Sequence, residues 1–245
     1  MKTEEYGKEN SSIIVMLHGA NFVHCYGRQY PLAEKYHLVV PHIMGFGDEA
    51  GRIFDTETCI RDLAELISGF DKKVMLVGFS LGAQLAFRLI SEYQDLFNSA
   101  VIVSPWLEKT GSSLEEALKI NEKQLASLKK KWRCNLIGMM NGLPSQQRKE
   151  FISQMQNVKS ETIRNTVYNG ITFESVPGFA DVRIPVTALA GEKEPEEILD
   201  SVKRMAELNP NCRYEIWDKA AHNIPPVFAK RFNKLISEMA DQQIG

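Results

Sequence analysis

A serine stands between two glycines in the stretch VGFSLGAQ, residues 77–84. An apolar run that predicts a strand precedes it, and a segment with helical period follows. In a sharp turn from strand to helix, positions two before and two after the serine approach neighbouring backbone, which explains Gly78 and Gly82. Such a turn would present the Ser80 hydroxyl as a nucleophile. The alternative is that Ser80 only caps the helix, and the motif alone does not decide between the two.

A serine hydroxyl becomes a good nucleophile only when a base removes its proton and an acid orients that base. Of the five histidines, His222 follows the last predicted strand after a short loop, at the end of the sheet where the serine is expected. Glu192 and Glu194 follow the preceding predicted strand, although both could instead only stabilise the N-terminus of the next helix. Asp218 and Asp200 are alternative acids.

Two backbone N–H groups could hold the negative oxygen that forms during such an attack. One belongs to Ala20, in the turn His18-Gly19-Ala20 that follows the predicted strand 13–17, and the other to Leu81 at the start of the helix. Donors of this kind form an oxyanion hole. Taken alone, the His-Gly pair would be an ordinary turn at the end of a strand.

Substrate contacts are expected from the region 106–182 and from the residues just after the oxyanion turn. Methionine and flat aromatic side chains suit acyl or ring groups, although at helical spacing they more often form a core. The predicted wall residues are His24, Cys25, Trp106, Trp132 and Met139, together with Met140 and Phe151. A nucleophilic role for Cys25 is disfavoured, because no strand-to-helix turn surrounds it.

Short aliphatic runs alternate with segments of helical period, which indicates an α/β domain with a buried parallel sheet. The predicted strands are 13–17, 37–40, 73–77, 100–103, 185–190 and 213–217. The predicted helices are 29–34, 56–68, 81–92, 195–207 and 225–239.

The interval 106–182 shows three helical patterns and no convincing strand. They begin near Ser113, Ser145 and Ser160, and Ser113 with Glu116 makes the signature of a capping box. The interval is therefore interpreted as a helical insertion over one end of the sheet.

In order, the motifs LHGA, PHIMGFGD, GFSLGA, GEKEP and AAHNIPP resemble those of the α/β-hydrolase superfamily, in the branch with a helical cap. The resemblance covers nearly the whole chain. It implies an α/β fold with a mostly parallel sheet of about six to seven strands flanked by helices. Residues 1–105 and 183–245 would form the core, and residues 106–182 an all-helical cap.

Carried over by position, the resemblance makes Ser80 the nucleophile, His222 the base and Glu194 the acid, with Ala20 and Leu81 as oxyanion donors. Relatives more often have aspartate in place of Glu194, and usually have aspartate where His42 stands here. Only 17 residues precede His18, so the first edge of the sheet is expected to be reduced.

Composition narrows the function classes. The net charge of −2 and pI near 6.2 do not favour nucleic-acid binding, and the basic run 129–133 is interpreted as a solvated helix end.

The four cysteines lack paired spacing and the N-terminus is polar, which favours a cytoplasmic protein with reduced thiols. No apolar run is long enough for a membrane span. A small-molecule ester or thioester is the expected partner, with no nucleic acid, no membrane and no cofactor or metal, and a homodimer is possible.

The first functional prediction is therefore a carboxylesterase-like serine hydrolase acting on a small to medium acyl ester or thioester. A lactonase or a carbon–carbon bond hydrolase is an alternative, because the same fold and triad serve several reactions. Another alternative is a ligand receptor with little turnover. A purely structural module would have no reactive serine.

Overall fold

A computed structural model describes residues 1–242, and within that range seven strands form one sheet. The strands are β1 (Thr3–Tyr6), β2 (Ile13–Leu17), β3 (His37–Pro41), β4 (Val74–Phe79), β5 (Phe97–Val103), β6 (Val186–Gly191) and β7 (Cys212–Trp217). Their order is β1-β3-β2-β4-β5-β6-β7, and only β1 runs antiparallel to its neighbour. The predicted α/β class and mostly parallel sheet are confirmed.

The strands β2 to β6 are buried along almost their whole length. Because helices cover both faces of the sheet, these strands are mainly apolar and show no regular polar alternation. Parallel strands end at the same edge, so the loops after β2, β4, β5, β6 and β7 converge there. This edge positions the side chains whose chemistry is described below.

Helices account for most of the remaining described residues. They are α1 (Thr56–Ser68), α2 (Leu81–Glu92), α3 (Gly111–Leu128), α4 (Lys131–Met140), α5 (Ser145–Asn157), α6 (Ser160–Tyr168), α7 (Glu196–Leu208), α8 (Ile224–Val227) and α9 (Ala229–Asp241). The predicted bounds of α1 and α2 are confirmed. No helix in the described part of the chain combines the length and apolar character that crossing a lipid bilayer requires.

Two predicted helices have a different form. The segment predicted over 29–34 is a short 3₁₀ helix at Tyr30–Glu34, with bonds that span three residues and Pro31 near its start. The helix predicted over 225–239 is split at Phe228, whose φ of −104° and ψ of 32° leave the helical region. Sequence periodicity does not detect such a one-residue break.

β1 lies at the sheet edge and was not predicted, because its sequence TEEY has no apolar run and all four residues are only half buried. It pairs antiparallel with β3, so the N-terminal edge consists of one short strand.

The interval between β5 and β6 contains the four helices α3 to α6, one more than predicted. α5 and α6 begin at Ser145 and Ser160 as predicted. The predicted capping box was wrong: Thr110 caps α3, its side chain accepting the Ser113 N–H while Ser113 Oγ accepts the Thr110 N–H. The basic run 129–133 lies at the break between α3 and α4. The division into a core and a cap stays a prediction.

Candidate active site

Ser80 occupies a strained turn between β4 and α2. Its φ of 56° and ψ of −114° are unusual for a residue with a Cβ atom, and its N–H donates to the Val103 carbonyl over 2.9 Å. A Cβ atom on Gly78 would lie 2.7 Å from Ala86 Cβ, and one on Gly82 would lie 2.7 Å from the His18 carbonyl oxygen. The two glycines are therefore required by close packing, as the sequence pattern predicts.

Three side chains from separate loops form a continuous hydrogen-bonded chain. His222 Nε2 lies 3.0 Å from Ser80 Oγ, and His222 Nδ1 lies 2.8 Å from Glu194 Oε2. Because an ionised carboxylate only accepts, Nδ1 carries the proton and Nε2 is the acceptor for the serine hydroxyl. The structure thus brings together the predicted nucleophile, base and acid.

Glu194 accepts hydrogen bonds from two other residues besides His222. Its side chain is fully buried, and Oε1 accepts hydrogen bonds from Ser104 Oγ at 2.5 Å and from the Gly191 N–H at 3.1 Å. Burial raises the pKa of Glu194, but hydrogen bonds from His222, Ser104 and Gly191, with the charge of His222, bring that pKa below its ordinary value. The group is therefore ionised and fixed in orientation.

The alternative acids lie elsewhere. Asp218 is exposed and Asp200 is half-buried, and they are paired with Lys219 and Lys203. Ser104 was missed in the sequence, although a polar residue directly after the buried strand β5 was a usable signal.

The loops after β6 and β7 hold each other in place. Gly191 allows the backbone of Ala220 to approach closely, and the Lys193 N–H donates to the Ala220 carbonyl over 2.9 Å. The His222 ring packs on Phe79, with ring centres 5.1 Å apart. His222 stays 44% exposed while Glu194 is fully buried, so only the histidine can meet a ligand.

Both predicted oxyanion donors, Ala20 and Leu81, line the same cavity as Ser80. The turn that carries Ala20 lies close to the serine, since a Cβ atom on Gly19 would be 3.3 Å from Ser80 Cβ. Leu81 is the first residue of α2, so its N–H has no acceptor within the helix. His18 fixes the turn that carries Ala20: Nδ1–H donates to the Gly19 carbonyl at 2.8 Å, and Nε2 accepts the Ile43 N–H at 3.0 Å. Burial lowers the pKa of His18 to about 3, so the ring is neutral.

A cavity of about 1540 Å³ is lined by loops at this sheet edge, by the helices α3 to α6, and by parts of α7, α8 and α9. Of the predicted wall residues, Cys25, Trp106, Met140 and Phe151 line it. Burial raises the pKa of the Cys25 thiol to about 12, so this residue contributes a neutral wall.

Three predicted wall residues do not line the cavity. Trp132 and Met139 lie on the outer face of α4, with 63% and 55% of their surfaces exposed. His24 is buried beside Tyr30 and Glu4, with Nδ1 at 3.4 Å from the tyrosine hydroxyl and 3.6 Å from Glu4 Oε2. Trp132 and Met139 were predicted from residue type, which does not reveal the side of α4 that packs on the protein.

Comparisons with known proteins agree with this architecture. A family model described as alpha/beta hydrolase fold matches residues 13–227. A curated Bacillus subtilis (strain 168) protein, provisionally named 2-succinyl-6-hydroxy-2,4-cyclohexadiene-1-carboxylate synthase, is 24% identical over 207 residues, covering 77% of this chain and 73% of that protein.

Two solved structures are similar over nearly their whole lengths. A bromoperoxidase from Bacillus anthracis has a TM-score of 0.76 at 20% identity, covering 98% of this chain and 94% of that one. A thermophilic esterase from Thermogutta terrifontis has a TM-score of 0.70 at 17% identity, covering 99% and 93%. At these identities the likeness shows the fold.

Proposed function

The chain belongs to the alpha/beta hydrolase fold family, and from this premise we propose that it is a serine hydrolase that cleaves a carboxylic ester or thioester of a small to medium acyl group. The observation that carries the proposal is the chain of hydrogen bonds from Ser80 through His222 to Glu194. A serine, a base and a buried acid in this order are the parts that nucleophilic acyl transfer requires.

In the proposed reaction, His222 Nε2 takes the Ser80 proton while Oγ forms a bond to the substrate carbonyl carbon. The carbonyl oxygen becomes negative and accepts hydrogen bonds from the N–H groups of Ala20 and Leu81. Removing one such donor in other hydrolases costs about 3 kcal/mol of transition-state stabilisation.

The protonated His222 then gives its proton to the leaving alcohol or thiol as the carbon–oxygen or carbon–sulfur bond breaks. Water repeats the attack on the acyl-enzyme with His222 again as base, which releases the acid and restores Ser80. Glu194 remains ionised throughout and stabilises the imidazolium that forms in each half-reaction.

The cavity supports this proposal because it is large enough for an acyl substrate. A pocket for a drug-sized ligand has roughly 300 to 1,000 Å³, which the volume beside Ser80 exceeds. Phe22, Leu128 and Phe151 contribute apolar wall. The scheme requires no cofactor. A cytoplasmic location, supported by four free buried cysteines, and a possible homodimer remain predictions.

Steady-state turnover on a panel of p-nitrophenyl esters and acyl thioesters tests the proposal. Ser80→Ala should lower kcat by about 10⁴-fold or more, as removal of the nucleophile does in other serine hydrolases. Ser91→Ala is the matched control, because this serine of α2 bonds to the Phe87 carbonyl and lies outside the cavity. Ser80→Ala with native turnover would contradict the proposal.

A second candidate is a reaction other than ester hydrolysis, such as cleavage of a carbon–carbon bond, because the name of the Bacillus subtilis relative describes a synthase and not an esterase. A ligand receptor on the same scaffold is the alternative outside catalysis. Stoichiometric labelling without steady-state turnover of any ester or thioester would favour one of these two over the hydrolase.

A further inference from the structure

A lysine without a carboxylate partner lies against the cavity wall. Lys109 Nζ donates to Gln84 Oε1 over 2.9 Å and lies 4.9 Å from the centre of the Trp106 ring. Gln84 and Trp106 both line the cavity. Among residues 1–242, no acidic side chain lies within ion-pair distance of Lys109, and the adjacent Glu108 pairs with Arg204 at 2.6 Å.

Burial disfavours the charged form of Lys109. Burial lowers the pKa of Lys109 to about 7, because one amide oxygen and one ring face replace only part of its hydration. Cations that are buried in proteins are normally paired. A bound anion would supply the missing partner.

The local packing makes room for the Lys109 and Gln84 pair. A Cβ atom on Gly170 would collide with Lys109 Nζ and lie 3.0 Å from Gln84 Oε1. The absence of a side chain at Gly170 therefore leaves the space that the ammonium group occupies.

Lys109 also determines which way the Gln84 amide faces. An ammonium group only donates, so the amide oxygen must face Lys109 and the NH₂ group must point away from it. Gln84 is only 6% exposed, but its amide nitrogen is not among the fully buried atoms without a partner, so the NH₂ group is accessible from the cavity. No acceptor bonds to it in the described part of the chain. The cavity wall thus presents an amide donor with a positive charge behind it.

The position of this donor relative to the reacting serine is set by α2. Gln84 follows Ser80 by four residues, about one helical turn, so the two are separated by about 6 Å along the helix axis. The rest of the cavity wall is also more positive than negative. Its charged residues are Arg28, Lys230, Arg231 and Lys234 on the positive side and Glu116 and Glu197 on the negative side.

We propose that the substrate carries a carboxylate, which accepts a hydrogen bond from the Gln84 NH₂ group and is attracted by the Lys109 ammonium behind that amide, while the scissile carbonyl lies at Ser80. This inference rests on the proposed function and specifies its substrate class as a half-ester or half-thioester of a short dicarboxylic acid. Lys109 is thereby a binding and specificity residue with no part in the chemical step.

The experiment compares two esters that differ only at the far end of the acyl chain, p-nitrophenyl pentanoate and mono-p-nitrophenyl glutarate, with the succinate and adipate half-esters to vary length. The kcat/KM ratio of half-ester to neutral ester is measured for the native protein, Lys109→Met, Lys109→Arg and Lys130→Met. Lys130 is exposed, so its variant removes the same charge away from the cavity. The ratio corrects for any loss of folded enzyme.

For the half-ester of best length, the ratio should fall by about 10- to 100-fold in Lys109→Met, because the carboxylate loses the nearby positive charge and the Gln84 NH₂ group is no longer held towards the cavity. Lys109→Arg should keep most of the preference, and Lys130→Met should keep all of it. An equal ratio in native protein and Lys109→Met, with both esters turned over, would overturn the inference.

Calorimetric titration with succinate, glutarate and adipate separates this inference from the proposed function. If no ester is hydrolysed, a dicarboxylate that binds native protein about tenfold or more tighter than Lys109→Met still supports the anion site. If none of the three binds native protein more tightly than Lys109→Met, the anion site is refuted even when Ser80 is reactive.

Discussion

Replacing Ser80 with glycine should remove the nucleophile and give a protein more stable than the alanine variant. At a φ of 56° and ψ of −114°, a residue with a Cβ atom carries about 1 to 3 kcal/mol of strain, which glycine avoids. Glycine loses about 0.5 to 1 kcal/mol more than alanine in conformational entropy on folding. Both variants lose the hydroxyl that bonds to His222, so this contribution cancels in the comparison. The free energy of unfolding should therefore be about 1 kcal/mol higher for Ser80→Gly than for Ser80→Ala.

Urea unfolding of the two variants measures this difference through the midpoint at constant m-value. Ala83→Gly is the control, because Ala83 lies in α2 with ordinary helical backbone, and this variant should be about 1 kcal/mol or more less stable than the native protein. A Ser80→Gly variant that is less stable than Ser80→Ala, by the amount that glycine costs at Ala83, would show that the backbone at Ser80 carries no strain. A stabilised and inactive glycine variant would show that the turn stores strain where the proposed chemistry occurs.

Three further predictions concern the residues around this turn. Glu194→Gln should keep the fold but lower kcat by about 10³- to 10⁴-fold, because the amide no longer stabilises the imidazolium; an ester assay with native-like circular dichroism checks this. Gly82→Ala should destabilise the protein by about 2 kcal/mol or more, because the new Cβ would lie 2.7 Å from the His18 carbonyl oxygen. A melting temperature no lower than that of the native protein would show that this position has room for a Cβ atom. Burial lowers the pKa of His18 to about 3 in the folded protein, whereas in the unfolded chain it is about 6.5. As the pH drops from about 6.5 towards 3, the unfolded chain therefore binds the proton first and the free energy of unfolding decreases. His18→Gln should therefore be less stable than the native protein at pH 7, and the difference in free energy of unfolding should become about 3 kcal/mol smaller at pH 4. A difference that does not change with pH would refute a neutral, buried His18.

Much of the sheet and the central triad could be predicted because local sequence determines them. α1 begins where Asp55 caps it, its side chain accepting the Thr58 N–H at 2.8 Å, and such a cap is visible in the sequence. The turn at Ser80 is predictable for a similar reason: the close approach of backbone leaves room only for glycine at positions 78 and 82.

Features that depend on packing between distant segments were not predictable. The outward position of Trp132 and Met139 depends on which face of α4 packs on α5. The environment of Lys109 depends on its contact with Gln84 and on the missing side chain at Gly170, which lies 61 residues further along the chain. No motif in the sequence marks these contacts.

Intact-mass labelling with a fluorophosphonate shows whether Ser80 is an activated nucleophile, because the reagent reacts with a serine only when a neighbouring base activates it. We expect one adduct on the native protein and none on folded Ser80→Ala or His222→Ala. An unlabelled native protein, or an adduct that persists in Ser80→Ala, would show that Ser80 is not the activated nucleophile.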